Sequence, residues 1–205
     1  QLFCSLRYLS ALETMTKKDL HNPKTLANLH PTNNNTMRTN KVKFGNQILV
    51  TDPCYTIDTW CNALVPNTLE GNYDVSVKEK YGRIKSITIT HENHTHNKDK
   101  WKYISGDIGV DSGQCGFFNL DAYRNDSIEI PFADDNGKDF YNEYTKREEG
   151  DSWYGKICGY TLQNKQWDAL EGIGLVSSSG YGDESYDLYA KRVDDKVTAL
   201  KVKFF

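Results

Sequence analysis

Hydrophobic and polar residues alternate over long stretches of the chain, a pattern typical of β-strands that bury one face. Tyr73, Val75 and Val77 alternate with polar residues, and Ile87 and Ile89 do the same a few positions later. Because successive side chains of a strand point to opposite faces, the apolar residues of each segment share one face. These segments therefore predict strands that pack one face against a hydrophobic core.

The end of the chain repeats this pattern in two runs that a short polar turn separates. The turn is Asp194-Asp195, and such a pair between two alternating runs indicates a β-hairpin. The apolar members of the two runs are Tyr186, Leu188, Ala190, Leu200, Val202 and Phe204. The sequence thus predicts that the chain ends in a hairpin.

Further short strands are predicted between these regions, each bounded by Gly, Asp or Asn. They lie at residues 47–51, 116–120, 153–161 and 172–177. Strands of this number and spacing predict a mainly β fold, either an antiparallel β-sandwich or an open barrel. We expect one all-β domain over residues 41–205, with a charged insertion at about 121–150 that holds a short helix over 139–147.

The first 40 residues follow a different pattern, so we predict an N-terminal helix and arm there. Leu2, Leu6, Leu9 and Leu12 recur at helical spacing, and residues 16–40 form a polar arm rich in Asn. An amphipathic helix on an arm can dock into the groove of another protein. These four leucines are therefore candidate partner-binding residues, and a targeting remnant is the alternative for this segment.

Composition and charge narrow the classes of partner. The chain has 205 residues, 38% of them hydrophobic, and a formal net charge of −3. Proteins that bind nucleic acid or an anionic membrane surface carry clustered Lys and Arg. The negative net charge therefore predicts neither nucleic acid nor a membrane surface as a partner. No segment approaches the roughly 20 apolar residues that span a bilayer, so we expect no membrane span.

The cysteines indicate the cellular compartment only weakly. The chain has five, none in the spacing of a zinc site, and the odd number leaves at least one unpaired in a monomer. A chain of this length needs no disulfides to be stable, which favours an intracellular location. Secretion stays open, because glycosylation sequons begin at Asn34, Asn93 and Asn125.

Three peptides are unusual enough to carry a family resemblance. They are TDPCY at residues 51–55, GVDSGQCG at 109–116 and SGYGD at 179–183, followed by a strand. Their order, together with Trp153-Tyr154, resembles an uncharacterised domain family of bacterial and phage proteins that is described only as a domain of unknown function. The resemblance covers about residues 41–205 and implies a mostly β domain without implying a reaction. Glu184 departs from it, since a Gly is expected there.

Each of the three peptides places an aspartate on a tight loop. Asp52 follows a buried strand and can brace an Asx turn, and glycines surround Asp111 and Asp183. If the loops share one end of the sandwich, the three carboxylates could hold a divalent cation or supply acid and base. No cofactor is otherwise predicted. The alternative is that each Asp only braces its own turn.

Thiols and polar side chains of the same peptides are further candidates. Cys115 is a candidate nucleophile, since a thiol on a Gly-rich turn can attack a substrate when a base lies nearby. Candidates for ligand binding are Cys54, Tyr55, Gln114 and Tyr181. For each cysteine the alternative is a buried and inert thiol.

His91, His94 and His96 have the most metal-like spacing in the chain. On an extended strand, His94 and His96 would lie on one face and could bind one ion. The segment follows a predicted strand and precedes a run of Asn, Lys and Asp. We therefore favour a solvated hairpin tip, with a metal site as the alternative.

Three functions are compatible with these features. The first is a non-enzymatic protein-binding or structural module, as a subunit of a larger assembly. The second is a hydrolase or a metal- or ligand-binding domain that uses the aspartate loops. The third is a sandwich that stacks aromatic rings on sugars or small ligands. The aromatic residues whose exposure decides the third are Tyr55, Trp60, Trp153, Tyr154, Tyr181 and Tyr186.

Overall fold

Eleven strands form two antiparallel sheets in the computed structural model, which describes residues 41–145 and 152–205. The large sheet contains, in spatial order, β1 (Lys41–Phe44), β4 (Gly71–Lys80), β5 (Arg83–His91), β11 (Lys196–Lys203), β10 (Glu184–Val193) and β6 (Lys102–Val110). The small sheet contains β3 (Ala63–Pro66), β2 (Gln47–Thr51), β7 (Gln114–Phe118), β9 (Gly174–Ser178) and β8 (Trp167–Leu170). The prediction of a mainly β, sandwich-like fold is confirmed, and neither sheet closes into a barrel.

The hydrophobic core lies between the two sheets and follows the alternation in the sequence. Ile87 and Ile89 of β5 are fully buried, as are Leu200 and Val202 of β11. The small sheet contributes Ile48, Val50, Cys115, Phe117 and Leu175 to the same core. Burial of such apolar area is the main contribution to the stability of a domain of this size.

Helix α2 packs on the other face of the small sheet and helix α1 packs against α2, and one of the two helices corrects a prediction. Helix α1 (Asp135–Thr145) lies in the charged region, close to the helix predicted over residues 139–147. Helix α2 (Ser152–Thr161) forms where residues 153–161 were predicted as a strand, so that prediction is wrong. The aromatic and β-branched residues of this segment favour strands. Trp153, Ile157 and Thr161 recur at four-residue intervals and so share one face of the helix, and most other residues of α2 are buried as well.

Glycines allow the two helices to pack closely. A Cβ atom on Gly159 would lie 3.0 Å from the Cα atom of Gly137, across the contact between α2 and α1. The N-terminus of α1 is capped by Asp134, whose Oδ1 accepts a 2.8 Å hydrogen bond from the N–H of Gly137. Because α2 covers one face of β7 and the core covers the other, every residue of that strand is buried.

The predicted C-terminal hairpin is confirmed. Strands β10 and β11 pair up to Val193 and Lys196, so that Asp194 and Asp195 form a two-residue turn. Both have positive φ angles, 46° and 64°, which is the backbone conformation of the turn that matches the twist of a hairpin.

Strand pairing brings the three unusual peptides to one end of the sandwich. Thr51, at the end of β2, pairs with Gly116 of β7, and Gln114 of β7 pairs with Ser178 of β9. In the large sheet, Val110 at the end of β6 pairs with Glu184 at the start of β10. The peptides at residues 51–55, 109–116 and 179–183 therefore meet at the same end, which we call the loop end.

Candidate functional site

The Asp52 carboxylate ties the first two peptides of the loop end together. Its Oδ1 accepts hydrogen bonds from the N–H of Cys54 at 2.8 Å and from the hydroxyl of Ser112 at 2.6 Å. Its Oδ2 accepts the N–H groups of Asp111 at 2.9 Å and of Ser112 at 2.7 Å. The side chain is fully buried. Both oxygens are thus fully used in holding two loops in register.

Burial raises the pKa of the Asp52 carboxyl, and the four hydrogen bonds that it accepts act in the opposite direction. A carboxylate that is enclosed and saturated in this way has no free lone pair facing solvent or a substrate. Acid–base catalysis needs hydrogen-bond reach to the reacting atom. The geometry of Asp52 is therefore that of a structural brace.

Asp111 is exposed, and only its backbone N–H takes part in this brace. The Tyr55 hydroxyl donates to its carboxylate, and burial together with this bond raises the pKa of the Tyr55 phenol. Tyr55 also lies beside the buried thiol of Cys61, and burial is the main cause that raises the pKa of this thiol. The tyrosine keeps its proton at neutral pH and positions Asp111 by hydrogen bonding.

The third peptide meets the second through the backbone. The N–H of Ser179 donates to the carbonyl of Gly113 at 2.9 Å. Asp183 is exposed, and all four groups bonded to the Asp52 carboxylate belong to the first two peptides. The structure thus brings the three loops together, but it does not place Asp183 on Asp52.

A buried polar network extends from the brace to helix α2. The Gln114 amide nitrogen lies 3.4 Å from the Ser112 hydroxyl and 3.2 Å from the Cys158 sulfur. Its oxygen accepts a 3.1 Å bond from the Thr161 hydroxyl. Gln114 is fully buried, so this candidate ligand-binding residue instead links the loop end to α2.

The two candidate thiols of the loop end have different surroundings. Cys115 is fully buried, and burial, followed by the charge of Asp52, raises the pKa of its thiol. Since the thiolate is the nucleophile, Cys115 is unsuited to nucleophilic attack. Cys54 is half-buried. The four cysteines that the structure describes form no disulfide with one another.

Sequence reasoning missed the role of Tyr123. Its hydroxyl donates to the carbonyl of Tyr55 at 2.6 Å and lies 3.2 Å from the carbonyl of Asp52. The residue comes from the charged region that was read as an insertion, and its isolated position gave no periodic signal. Its buried ring packs against Trp153 of α2, with a centroid separation of 5.0 Å.

The loop that leaves the first peptide displays a large apolar side chain. Trp60 is 83% exposed, and Ile57 and Leu64 nearby are 41% and 45% exposed. The loop itself is held by hydrogen bonds, because the Asn62 amide donates to the carbonyls of Thr56 at 2.7 Å and of Ile57 at 3.0 Å. We call residues 57–62 the tryptophan loop, and β3 with Leu64 follows it.

The other candidate aromatic residues are divided by exposure. Trp153, Tyr154 and Tyr186 are buried and belong to the core, whereas Tyr181 is 65% exposed. The guanidinium of Arg83 lies 5.1 Å from the Tyr181 ring centroid. The indole of Trp60 and the phenol of Tyr181 are thus the candidate rings that are available to a partner or ligand.

The segment that holds the three histidines is not the extended strand that a metal site at His94 and His96 requires. His91 ends β5, and residues Glu92–His94 form a short 3-10 helix, so the alternation that would place His94 and His96 on one face is absent. His91 is buried, its Nδ1 accepts the N–H of Asn93 at 3.2 Å, and its Nε2 lies 3.2 Å from the carbonyl of Glu70. With both ring nitrogens engaged, it cannot also ligate a metal.

Clustered metal ligands and membrane-spanning helices are both absent from residues 41–145 and 152–205. No group of three or more His, Cys, Asp or Glu side chains among them could hold a metal ion. None of their helices is long and apolar enough to cross a membrane. The candidate residues Leu2, Leu6, Leu9 and Leu12 lie outside the described residues.

A cleft of about 460 Å³ lies at the end of the small sheet opposite the loop end. Lys43, Glu70 and Asp121 supply its charged groups, and Phe44 and Leu120 are among its apolar ones. None of the site residues predicted from the sequence lines it.

Comparison of the chain with family models, with curated proteins and with solved structures gives no match. The resemblance of the three peptides to an uncharacterised family therefore stays a prediction.

Proposed function

We propose that this domain is a non-enzymatic binding module that engages a protein partner through the tryptophan loop. The observation that carries this proposal is the exposure of Trp60, whose indole is 83% accessible. Tryptophan is strongly enriched among the residues that dominate the energy of protein interfaces. In a subunit of a larger assembly, such a residue is buried against the partner and is exposed only when the partner is absent.

The rigidity of the loop supports the same function. The N–H of Gly109 donates to the carbonyl of Cys61 at 3.2 Å, which fixes the tryptophan loop to β6. The Thr51 hydroxyl contacts the Asn62 amide oxygen, which fixes it to β2. A loop that is ordered before binding loses less conformational entropy on association, so more of the contact energy appears as affinity.

The alternative, a hydrolase or metal- or ligand-binding domain on the aspartate loops, has less support. Asp52 is saturated by loop hydrogen bonds, and Asp183 is not among its partners. Of the three aspartates, Asp111 alone combines an exposed carboxylate with a neighbouring phenol at the junction of two loops.

Quantitative capture experiments test the binding function. The full chain, Trp60→Ala and Tyr81→Ala are immobilised and exposed to an extract of the source cells. Tyr81 is a matched control because it is a 78% exposed aromatic residue in the β4–β5 turn. We expect one partner to be captured by the wild type and by Tyr81→Ala, and to fall at least about tenfold with Trp60→Ala.

A second measurement identifies a direct contact. A photo-crosslinking amino acid at position 60 should join the domain to the same partner, whereas one at position 81 should not. Equal capture by the wild type and Trp60→Ala, or crosslinking from position 81 alone, would contradict the proposal.

A further inference from the structure

The outer face of the large sheet carries a cluster of lysines that are not adjacent in the sequence. Lys78 on β4 and Lys203 on β11 both lie beside Ser86 of β5, in one row across the sheet. Lys201 lies two residues before Lys203 on the same strand face, and Lys191 on β10 pairs with Ala199. Alternation places the four lysines on the face opposite the core.

The four lysines have few partners within the described residues, and the Lys191 ammonium donates to the carbonyl of Asn97 at 2.7 Å. Among residues 41–145 and 152–205, none of the four lysines forms a salt bridge. The neighbouring Asp187, opposite Lys203, accepts a hydrogen bond from Tyr189 at 2.9 Å. Asp74, at the far edge of the face, lies 3.8 Å from Lys41.

Aromatic rings lie among the lysines. The Lys201 ammonium is 4.2 Å from the ring centroid of Trp101 and 5.2 Å from that of Tyr189. The Lys191 ammonium is 5.2 Å from the Trp101 centroid. Tyr103 pairs with Tyr189 across the strands, and its side chain is 61% exposed. We call these four lysines, together with Trp101, Tyr103 and Tyr189, the basic face.

The positive charges of the lysines repel one another. Partial burial lowers the pKa of Lys201, and the charges of Lys78, Lys191 and Lys203 lower it further. Like charges gathered in this way disfavour the free state and are relieved when an anion binds. The formal net charge of −3 belongs to the whole chain and does not describe this local concentration.

We propose that the basic face binds single-stranded nucleic acid, with lysines on phosphates and the Tyr103 ring stacked on a base. A flat strand surface that combines basic side chains with exposed rings is the arrangement that recognises unpaired bases. Duplex nucleic acid hides its base faces, and a run of Asp and Glu residues alone offers no ring to stack. This proposal replaces the expectation, drawn from net charge, that nucleic acid is not a partner.

Fluorescence anisotropy with labelled dT15 and rU15 tests the proposal on the full chain. The logarithm of affinity should fall with the logarithm of salt concentration with a slope of about −3, because each neutralised phosphate contributes about −0.7 on a single strand. Lys78→Gln/Lys203→Gln should weaken binding about tenfold or more at low salt and roughly halve that slope. Tyr103→Ala should weaken binding about tenfold through lost stacking.

Matched controls separate the basic face from general electrostatics. Lys138→Gln removes an exposed lysine on α1, and Tyr81→Ala removes an exposed tyrosine of the β4–β5 turn. Both should bind as the wild type does, and a 15-base-pair duplex should bind more weakly than the single strands.

Three results would overturn the proposal. One is the absence of oligonucleotide binding at low salt, and another is an equal loss of affinity in the control variants. The third is tighter binding of another polyanion, measured by competition with labelled dT15. If polyglutamate or heparin displaces the labelled strand at a concentration of negative charge at which unlabelled dT15 does not, the face would be assigned to an acidic peptide or a sulfated glycan. Circular dichroism of each variant confirms that it is folded.

Discussion

The loop end and the basic face use charged side chains in opposite ways. At the loop end, Asp52 is buried and each of its oxygens accepts two hydrogen bonds from the neighbouring loops. On the basic face, four lysines share one surface without a salt bridge among the described residues. A charge whose partners are all internal stabilises the fold, whereas charges left without counter-ions can bind something outside it.

The largest expected effect comes from removing the loop-end brace. Asp52→Ala leaves the N–H groups of Cys54, Asp111 and Ser112 without their acceptor, so it should lower the free energy of unfolding by about 3–5 kcal/mol. Asp183→Ala removes an exposed carboxylate and should change it by less than about 0.5 kcal/mol. Urea denaturation of the two variants measures the difference. Equal and small losses would show that Asp52 is not a brace.

Thiol reactivity tests the same contrast inside the loop end. Burial raises the pKa of Cys115, so that the thiol should react with an alkylating reagent about 100-fold more slowly than Cys54 in the folded chain. Peptide mapping after timed alkylation distinguishes the individual cysteines. In Cys54→Ser, one fast-reacting thiol should disappear while the rate at Cys115 stays the same. Fast labelling of Cys115 would contradict this prediction and would show that the thiol is reactive enough to be a nucleophile.

A smaller effect is expected from the pH dependence of Lys201. Its pKa is lower in the folded chain than the ordinary value of 10.5. Protonated Lys201 therefore disfavours folding at neutral pH, and stability should rise as the pH passes upward from the folded pKa towards 10.5. Lys201→Met should abolish this part of the rise in melting temperature, whereas Lys138→Met should retain it. An unchanged profile in Lys201→Met would contradict the repulsion among the lysines.

The sequence predicted the sandwich well because alternation reports directly which face of a strand is buried. The C-terminal hairpin followed from such alternation and from a turn at Asp194-Asp195, and both are observed. Helix α2 was missed because Trp153, Tyr154 and Ile157 favour strands, and tertiary packing on the small sheet decided the outcome. Intrinsic preference was the weaker effect there.

The candidate site was less accessible to sequence reasoning, because it depends on which strands pair. The three aspartates were singled out, and their loops meet as the hypothesis of a shared end required. Whether a carboxylate faces solvent or the backbone of a neighbouring loop cannot be read from residue spacing, and Asp52 proved to face the backbone. The basic face escaped notice because Lys78 lies on β4, which is distant in the sequence from the hairpin of β10 and β11 that carries the other three lysines.

An NMR titration of the isotope-labelled full chain with unlabelled dT15 compares the two regions in one measurement. We predict that amide shifts change at residues 76–78, 86–90, 101–105 and 187–203, while those of 51–55, 109–116 and 179–183 stay within experimental error. Shift changes concentrated at the loop end would contradict the account, because they would make the aspartate loops the binding site. Unchanged spectra at low salt would contradict it as well, because the lysine cluster would then bind no single strand.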